Sequence, residues 1–138
     1  LERDARDDAD LATAAQAYRQ VLAAAPVDAN AWPVPTRRWQ RACATVGLAR
    51  LALRNDPAAG LQLSREAAAL IGPAPSFRNE QTVLAEARLA EGRALLAQRQ
   101  PAAARPALEA AVALLAKSQV PDSPRLTEAR AALANPGR

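Results

Sequence analysis

Two stretches of this 138-residue chain, 42–71 and 87–115, repeat one another. Gly47 answers Gly92 at an offset of 45, while Pro57 answers Pro101 and Leu70 answers Leu114 at 44. Each copy interrupts a long apolar-periodic run with a small residue, then opens a shorter run with proline about ten residues later. Self-similarity at a period of roughly 20–50 residues is the sequence signature of a stacked array of helix pairs. The residues available fit that expectation. There are 38 Ala and 18 Leu against two Trp, one Tyr, one Phe and no Met. Ala, Leu, Arg, Glu and Gln are strong helix formers, and the β-branched and aromatic residues that favour strands are scarce. The expected fold class is all-α, with a core of Ala and Leu in which helices approach closely.

Proline and glycine divide the chain into about six helices. The first is expected over Asp10–Ala25, closed by Pro26, with Leu11, Ala14, Ala15, Tyr18, Val21 and Leu22 on one face. A loop follows over Val27–Pro35, where Pro33 and Pro35 oppose regular helix. Thr36 then caps a helix to about Arg54, with Trp39, Ala42, Cys43, Val46, Ala49 and Leu53 as its stripe. Asp56-Pro57 starts a third helix that Gly72-Pro73 stops after Ile71. Ser76 or Asn79 starts a fourth, reaching about Arg99. Pro101 starts a fifth, to about Lys117, although Pro106 within it predicts a loose or bent first turn. A spacer at 120–124 precedes a last helix over Pro124–Ala134, whose inward Leu126, Ala129 and Leu133 and outward Arg125, Glu128 and Arg130 mark a solubilising cap.

The spacing within these units resembles the tetratricopeptide repeat family. Its unit of two antiparallel helices has a glycine at position eight, small residues at 20 and 27, a large one at 24 and proline at 32. With Gly92 at position eight, Ala104, Leu108 and Ala111 fall at 20, 24 and 27. Ala14, Tyr18, Val21 and Pro26 fall at 20, 24, 27 and 32 of a preceding half-unit. In the middle unit Gly47 places Ala59 and Leu63 correctly but Glu66, not Ala67, at 27, which calls for a slightly altered turn near Asn55. The period resembles the family's longer variety, of roughly 42–45 residues. The resemblance implies a right-handed α-solenoid as one domain over 1–138. Its parts would be a partial first repeat and loop (1–35), a second repeat (36–78), a third (79–121), and a capping helix with tail (122–138). Only nine residues precede Asp10, so either the sequence cuts through a repeat or residues 1–9 are the remnant of its leading helix. The chain opens at Leu1 without any Met, which reads as a segment of a longer protein.

Composition excludes several chemistries. With no His and one Cys, a thiolate–imidazole zinc site, a Ser-His-Asp or Cys-His nucleophile and an internal disulfide cannot be assembled within one chain. No phosphate-binding glycine motif occurs. The acids Asp4, Asp7, Asp8 and Asp10 lack the central Gly and terminal Glu of a calcium loop. Glu86, Glu91 and the N-terminal acids read as solvated faces, and Cys43 as a small buried hydrophobe. No catalytic residue, cofactor or metal is therefore expected. The longest run without a charged residue is 67–77, too short to span a membrane.

The net charge of +4 is uneven, −3 over residues 1–10 and +7 over the rest. The arginine excess, 17 Arg to one Lys, is also what a GC-rich genome produces. Arg37, Arg38 and Arg41, continued by Arg50 and Arg54, form the most suggestive cluster, since unpaired arginines grip carboxylate or phosphate. In the resembling family, ligands lie on the concave face of the first helices. Carried over by position, this implies Arg41, Ala44, Leu48, Leu51 and Ala52 in the middle unit, and Glu86, Leu89, Arg93, Leu96 and Ala97 in the next. The Lys/Asn carboxylate clamp of chaperone-binding members is missing. Partner-binding residues are thus expected to be Arg37, Arg38, Arg41, Leu48, Leu51, Glu86, Leu89, Arg93 and Leu96, receiving a peptide or partner protein. Open repeat ends would also permit self-association. The long Ala/Arg-rich repeats resemble the C-terminal repeat regions of bacterial serine/threonine kinases. That implies a non-enzymatic sensing or docking module, in the bacterial cytoplasm, or in the periplasm if the parent is membrane-anchored. Alternatives are a structural part of a secretion or envelope complex, or an anion or nucleic-acid binder through the Arg37–Arg41 cluster. The scarcity of aromatics disfavours nucleic acid.

Overall fold

The computed structural model describes residues 2–24, 34–118 and 123–136, with the side chains at 2–8, 34–37 and 118 left aside. These residues form six α-helices and no strand: α1 Glu2–Ala24, α2 Val34–Ala52, α3 Pro57–Ile71, α4 Arg78–Ala97, α5 Pro101–Ser118 and α6 Pro124–Ala134. The fold is all-α. Each helix packs on the next in sequence, and α4 also touches α2 and α6.

Several ends follow local chemistry. The Asp56 carboxylate accepts the Ala59 N–H at 3.1 Å, and Pro57 takes the first helical position, where no N–H is needed. Gly72, at φ +84°, stops α3 in a conformation that costs glycine nothing. The repeat's change of offset also has a structural cause. Helices α2 and α4 end 45 residues apart, whereas α3 and α5 start 44 apart. The turn 53–56 is one residue longer than the turn 98–100, which is why Ala67 rather than Glu66 is buried.

Other ends differ from expectation. Helix α1 begins at Glu2, not Asp10, so Asp7, Asp8 and Asp10 lie within a helix and not at a frayed end. An acidic run suits the partly positive end of a helix, and no apolar stripe is needed to form one there. Helix α2 starts at Val34, with Pro35 in its first turn, where a missing N–H is tolerated. The loop expected over 27–35 and the spacer at 120–124 lie largely outside the described residues. Phe77, not Ser76 or Asn79, is the N-cap of α4. Glu80, in the first turn, reaches back to accept the Ser76 N–H at 2.7 Å. Helix α5 runs unbroken through the exposed Pro106.

Helix α4 ends at Ala97 with Arg99 at φ +58°. The Gln100 N–H donates to Leu95 O and the Arg99 N–H to Leu96 O, both at 2.9 Å, the paired bonds of a left-handed helix stop. Glycine is the residue that meets this conformation without strain. Arg99→Gly is therefore expected to raise stability by about 0.5–1 kcal/mol, after the extra chain entropy of glycine is subtracted. A rise in the urea midpoint at unchanged slope checks it.

The core has two parts that share α4. Ala42, Val46, Ala67, Ala68, Ile71, Val83, Leu84 and Ala87 pack α2, α3 and α4 together, with Trp39, Cys43 and Leu70 at the margin. Ala85, Leu89, Leu95, Ala104, Leu108, Ala111, Leu115, Leu126 and Ala129 join α4, α5 and α6. Gly47 and Gly92 are sites of close approach, but to side chains and not to a neighbouring backbone. A Cβ on Gly92 would lie 2.5 Å from the side chain of Leu108, and one on Gly47 would meet the Tyr18 ring. The two glycines are thus not equivalent: Gly92 receives the following helix and Gly47 the preceding one. Gly60 is a third such site, with Ala49 O 3.1 Å from a built Cβ.

Buried hydroxyls are satisfied within their own helices, Ser64 by Leu61 O at 2.8 Å and Thr45 by Arg41 O at 2.7 Å. Helix α1 stands apart from this core. Among the described helices it packs on α2 alone, and none of its residues from 9 to 24 is buried.

Candidate functional site

The arginines of α2 divide into two groups. At its N-terminal half, Arg38 donates from Nε (3.1 Å) and Nη2 to Oε1 of Glu80, tying α2 to α4. Glu80 is wholly buried, and Arg38 is 35% exposed along its side chain. Burial pushes the Glu80 carboxyl up, but the Ser76 N–H, the Arg38 hydrogen bonds and the Arg38 charge together outweigh it and hold the group below the ordinary carboxylate range. Arg41 donates from Nη1 to Leu22 O at 3.3 Å, meeting a carbonyl in the last turns of α1. Arg38 and Arg41, read from sequence as free to grip an anion, are engaged in joining helices. The Arg37 side chain lies outside the described residues.

Arg50, in the last turn of α2, and Arg54, in the turn that follows, are exposed and have no hydrogen-bond or ion-pair partner among the described residues. They line a cleft of about 470 Å³ together with Leu51 and Gly47 of α2, Leu11, Ala14 and Tyr18 of α1, Leu53, and Arg93 of α4. Among the described residues no carboxylate lines it. Of the nine sequence-assigned residues, this cleft gathers Leu51 and Arg93.

A smaller hollow adjoins it, lined by Arg50, Leu53, Glu86, Leu89, Ala90, Arg93, Arg125 and Glu128. Here three arginines meet two carboxylates. Arg93 donates to Glu128 Oε1, Arg125 Nη1 to Glu128 Oε2 at 3.1 Å, and Arg125 Nε lies 3.5 Å from Glu86 Oε1. Glu86 and Arg93, both assigned from sequence, therefore take part in a network between α4 and α6. Leu89 is buried in the α4–α5–α6 core. Leu96 is half-buried against that core, and Leu48 is half-buried on α2. On the other side of α4, Glu91 accepts from Arg65 Nε at 3.1 Å and Arg88 Nη1 at 2.8 Å.

Cys43 is half-buried beside the α2–α3–α4 core. Burial first, then the nearby Glu86 carboxylate, push its thiol up to about 11, so it stays protonated at neutral pH and behaves as a small apolar group. Among the described residues no group of three or more His, Cys, Asp or Glu could hold a metal ion. No helix among them is long and apolar enough to cross a membrane.

Sequence reasoning did not assign Leu11, Ala14 and Tyr18 to the site, because nothing local says which face of α1 meets α2. The i,i+4 spacing of Arg50 and Arg54 was the available signal for the other wall. The chain matches no family model, no curated protein and no solved structure.

Proposed function

We propose that this chain is a non-catalytic protein-interaction scaffold, a right-handed α-solenoid of tetratricopeptide type that receives a peptide or partner protein on the face carrying α2 and α4. The observation that carries this reading is the cleft itself. It is an accessible concavity in which Leu11, Ala14, Tyr18, Leu51 and Leu53 stand beside three arginines, so that apolar and polar groups converge. The packing of α4 on both α2 and α6, in addition to its sequence neighbours, supports the stacked-pair arrangement. Glu80, Glu86, Glu91 and Glu128 each pair with arginine, so these acids serve in joining helices rather than in acid–base work. The engagement of Arg38 and Arg41 within the fold disfavours a nucleic-acid role for the Arg37–Arg41 cluster. In the parent protein such a scaffold would act as a docking or sensing module, as in a bacterial serine/threonine kinase.

The test is selection of binders from a displayed library of random peptides. Selected peptides are expected to bind the wild type and to lose most of their affinity for Leu48→Asp/Leu51→Asp, with helical circular dichroism retained. Equal binding to both proteins overturns the reading.

A further inference from the structure

We infer that the occupant of the α1–α2–α4 cleft is an acidic amphipathic segment of a partner protein, its carboxylates held by Arg50 and Arg54 and its apolar side chains by Leu11, Ala14 and Leu51. This rests on reading that face as a binding surface, and it adds the partner's chemistry. Charge complementarity is the first ground. Among the described residues Arg93 and Arg125 pair with Glu128 and Glu86, whereas Arg50 and Arg54 have no carboxylate partner. An anion placed beside Arg50 and Arg54 meets guanidinium groups with unused donors.

The placement of the two arginines is the second ground. Arg50 stands in the last turn of α2 and Arg54 in the turn 53–56 that follows it, and both line the same cleft. Two guanidinium groups on one cleft suit a segment that carries a pair of carboxylates.

The walls are the third. Leu11, Ala14 and Tyr18 are only partly covered, whereas Ala104 and Leu108, 90 residues beyond Ala14 and Tyr18, are buried beneath neighbouring helices. Apolar surface left open beside unpaired arginines suits a segment with both an acidic and an apolar side. A cleft of about 470 Å³ has room for several such side chains. A nucleic acid fits less well, because the one aromatic lining the cleft, Tyr18, lies over Gly47 instead of offering a free stacking face.

The same library selection tests this, with Arg50→Glu/Arg54→Glu and Arg50→Lys/Arg54→Lys as further targets. Both positions are exposed, so neither change disturbs the core. The expected outcome is enrichment of Asp or Glu pairs next to apolar residues. Affinity should fall at least about tenfold on charge reversal, be largely kept by lysine, and weaken with added salt. Neutral or basic selected peptides, unchanged binding to the reversed protein, absence of any enrichment, or displacement of the peptides by a single-stranded oligonucleotide would overturn it. Peptides that fail on Leu48→Asp/Leu51→Asp yet bind the charge-reversed protein would leave the scaffold reading standing and remove this one.

Discussion

Arg38→Met is expected to cost about 3–5 kcal/mol at neutral pH, as the loss of one partner from a buried ion pair. Glu80 is fully buried and cannot turn toward water, so removing its cation leaves a desolvated carboxylate held only by the Ser76 N–H. Glu80→Gln should cost less, because Arg38 is partly exposed and can reorient into solvent. This ordering is the test: urea unfolding that finds Glu80→Gln more damaging than Arg38→Met would mean that the pair is not the anchor between α2 and α4. The pH dependence gives a second check. In the wild type, the folded Glu80 carboxyl lies below its unfolded value. Its contribution is therefore present above the ordinary carboxylate range and is lost as pH falls through the depressed folded value. In Arg38→Met, burial dominates and the group takes up a proton earlier. The stability gap between the two proteins should narrow steadily on acidification.

Leu108→Ala is expected to cost about 2–5 kcal/mol, since the side chain is fully buried at the α4–α5 contact. Gly92→Ala should cost about 1–3 kcal/mol in overpacking, reduced by the better helix propensity of alanine. Its new methyl would fall where Leu108 now stands. The double variant should therefore lie below the sum of the single effects by about 1 kcal/mol or more. Strict additivity in thermal or chemical unfolding would show that the two residues do not share that space. Gly47→Ala should be milder, because among the described helices α1 packs on α2 alone and the Tyr18 ring can lift away.

Much of the fold was legible because the relevant chemistry is local. Asp56, Pro57, Gly72 and the helix-forming Ala/Leu/Arg composition act within a turn or two of chain, so α3, α5 and α6 fall close to where spacing puts them. The change of offset from 45 to 44 was legible for the same reason, as one extra residue in a single turn. The early start of α1 was missed because an acidic run carries no apolar periodicity, and helix formation at an exposed end does not require one.

The candidate site was only partly legible. Leu51 and Arg93 were assigned by repeat position and do line the cleft, but Leu89 turned into the core, and Arg38 and Arg41 into helix junctions. Gly60, with its close approach to Ala49 O, carried no signal beyond being a glycine.

By itself the sequence determined the secondary structure class, most helix limits and the repeat, since propensity, capping and periodicity are properties of neighbouring residues. Tertiary structure alone decided which arginines are occupied. Arg38 meets Glu80 across 42 residues and Arg93 meets Glu128 across 35, and only helix packing brings such partners within hydrogen-bond reach. The same packing leaves Arg50 and Arg54 on an open cleft with no carboxylate partner among the described residues, and so it separates arginines that join helices from those that do not.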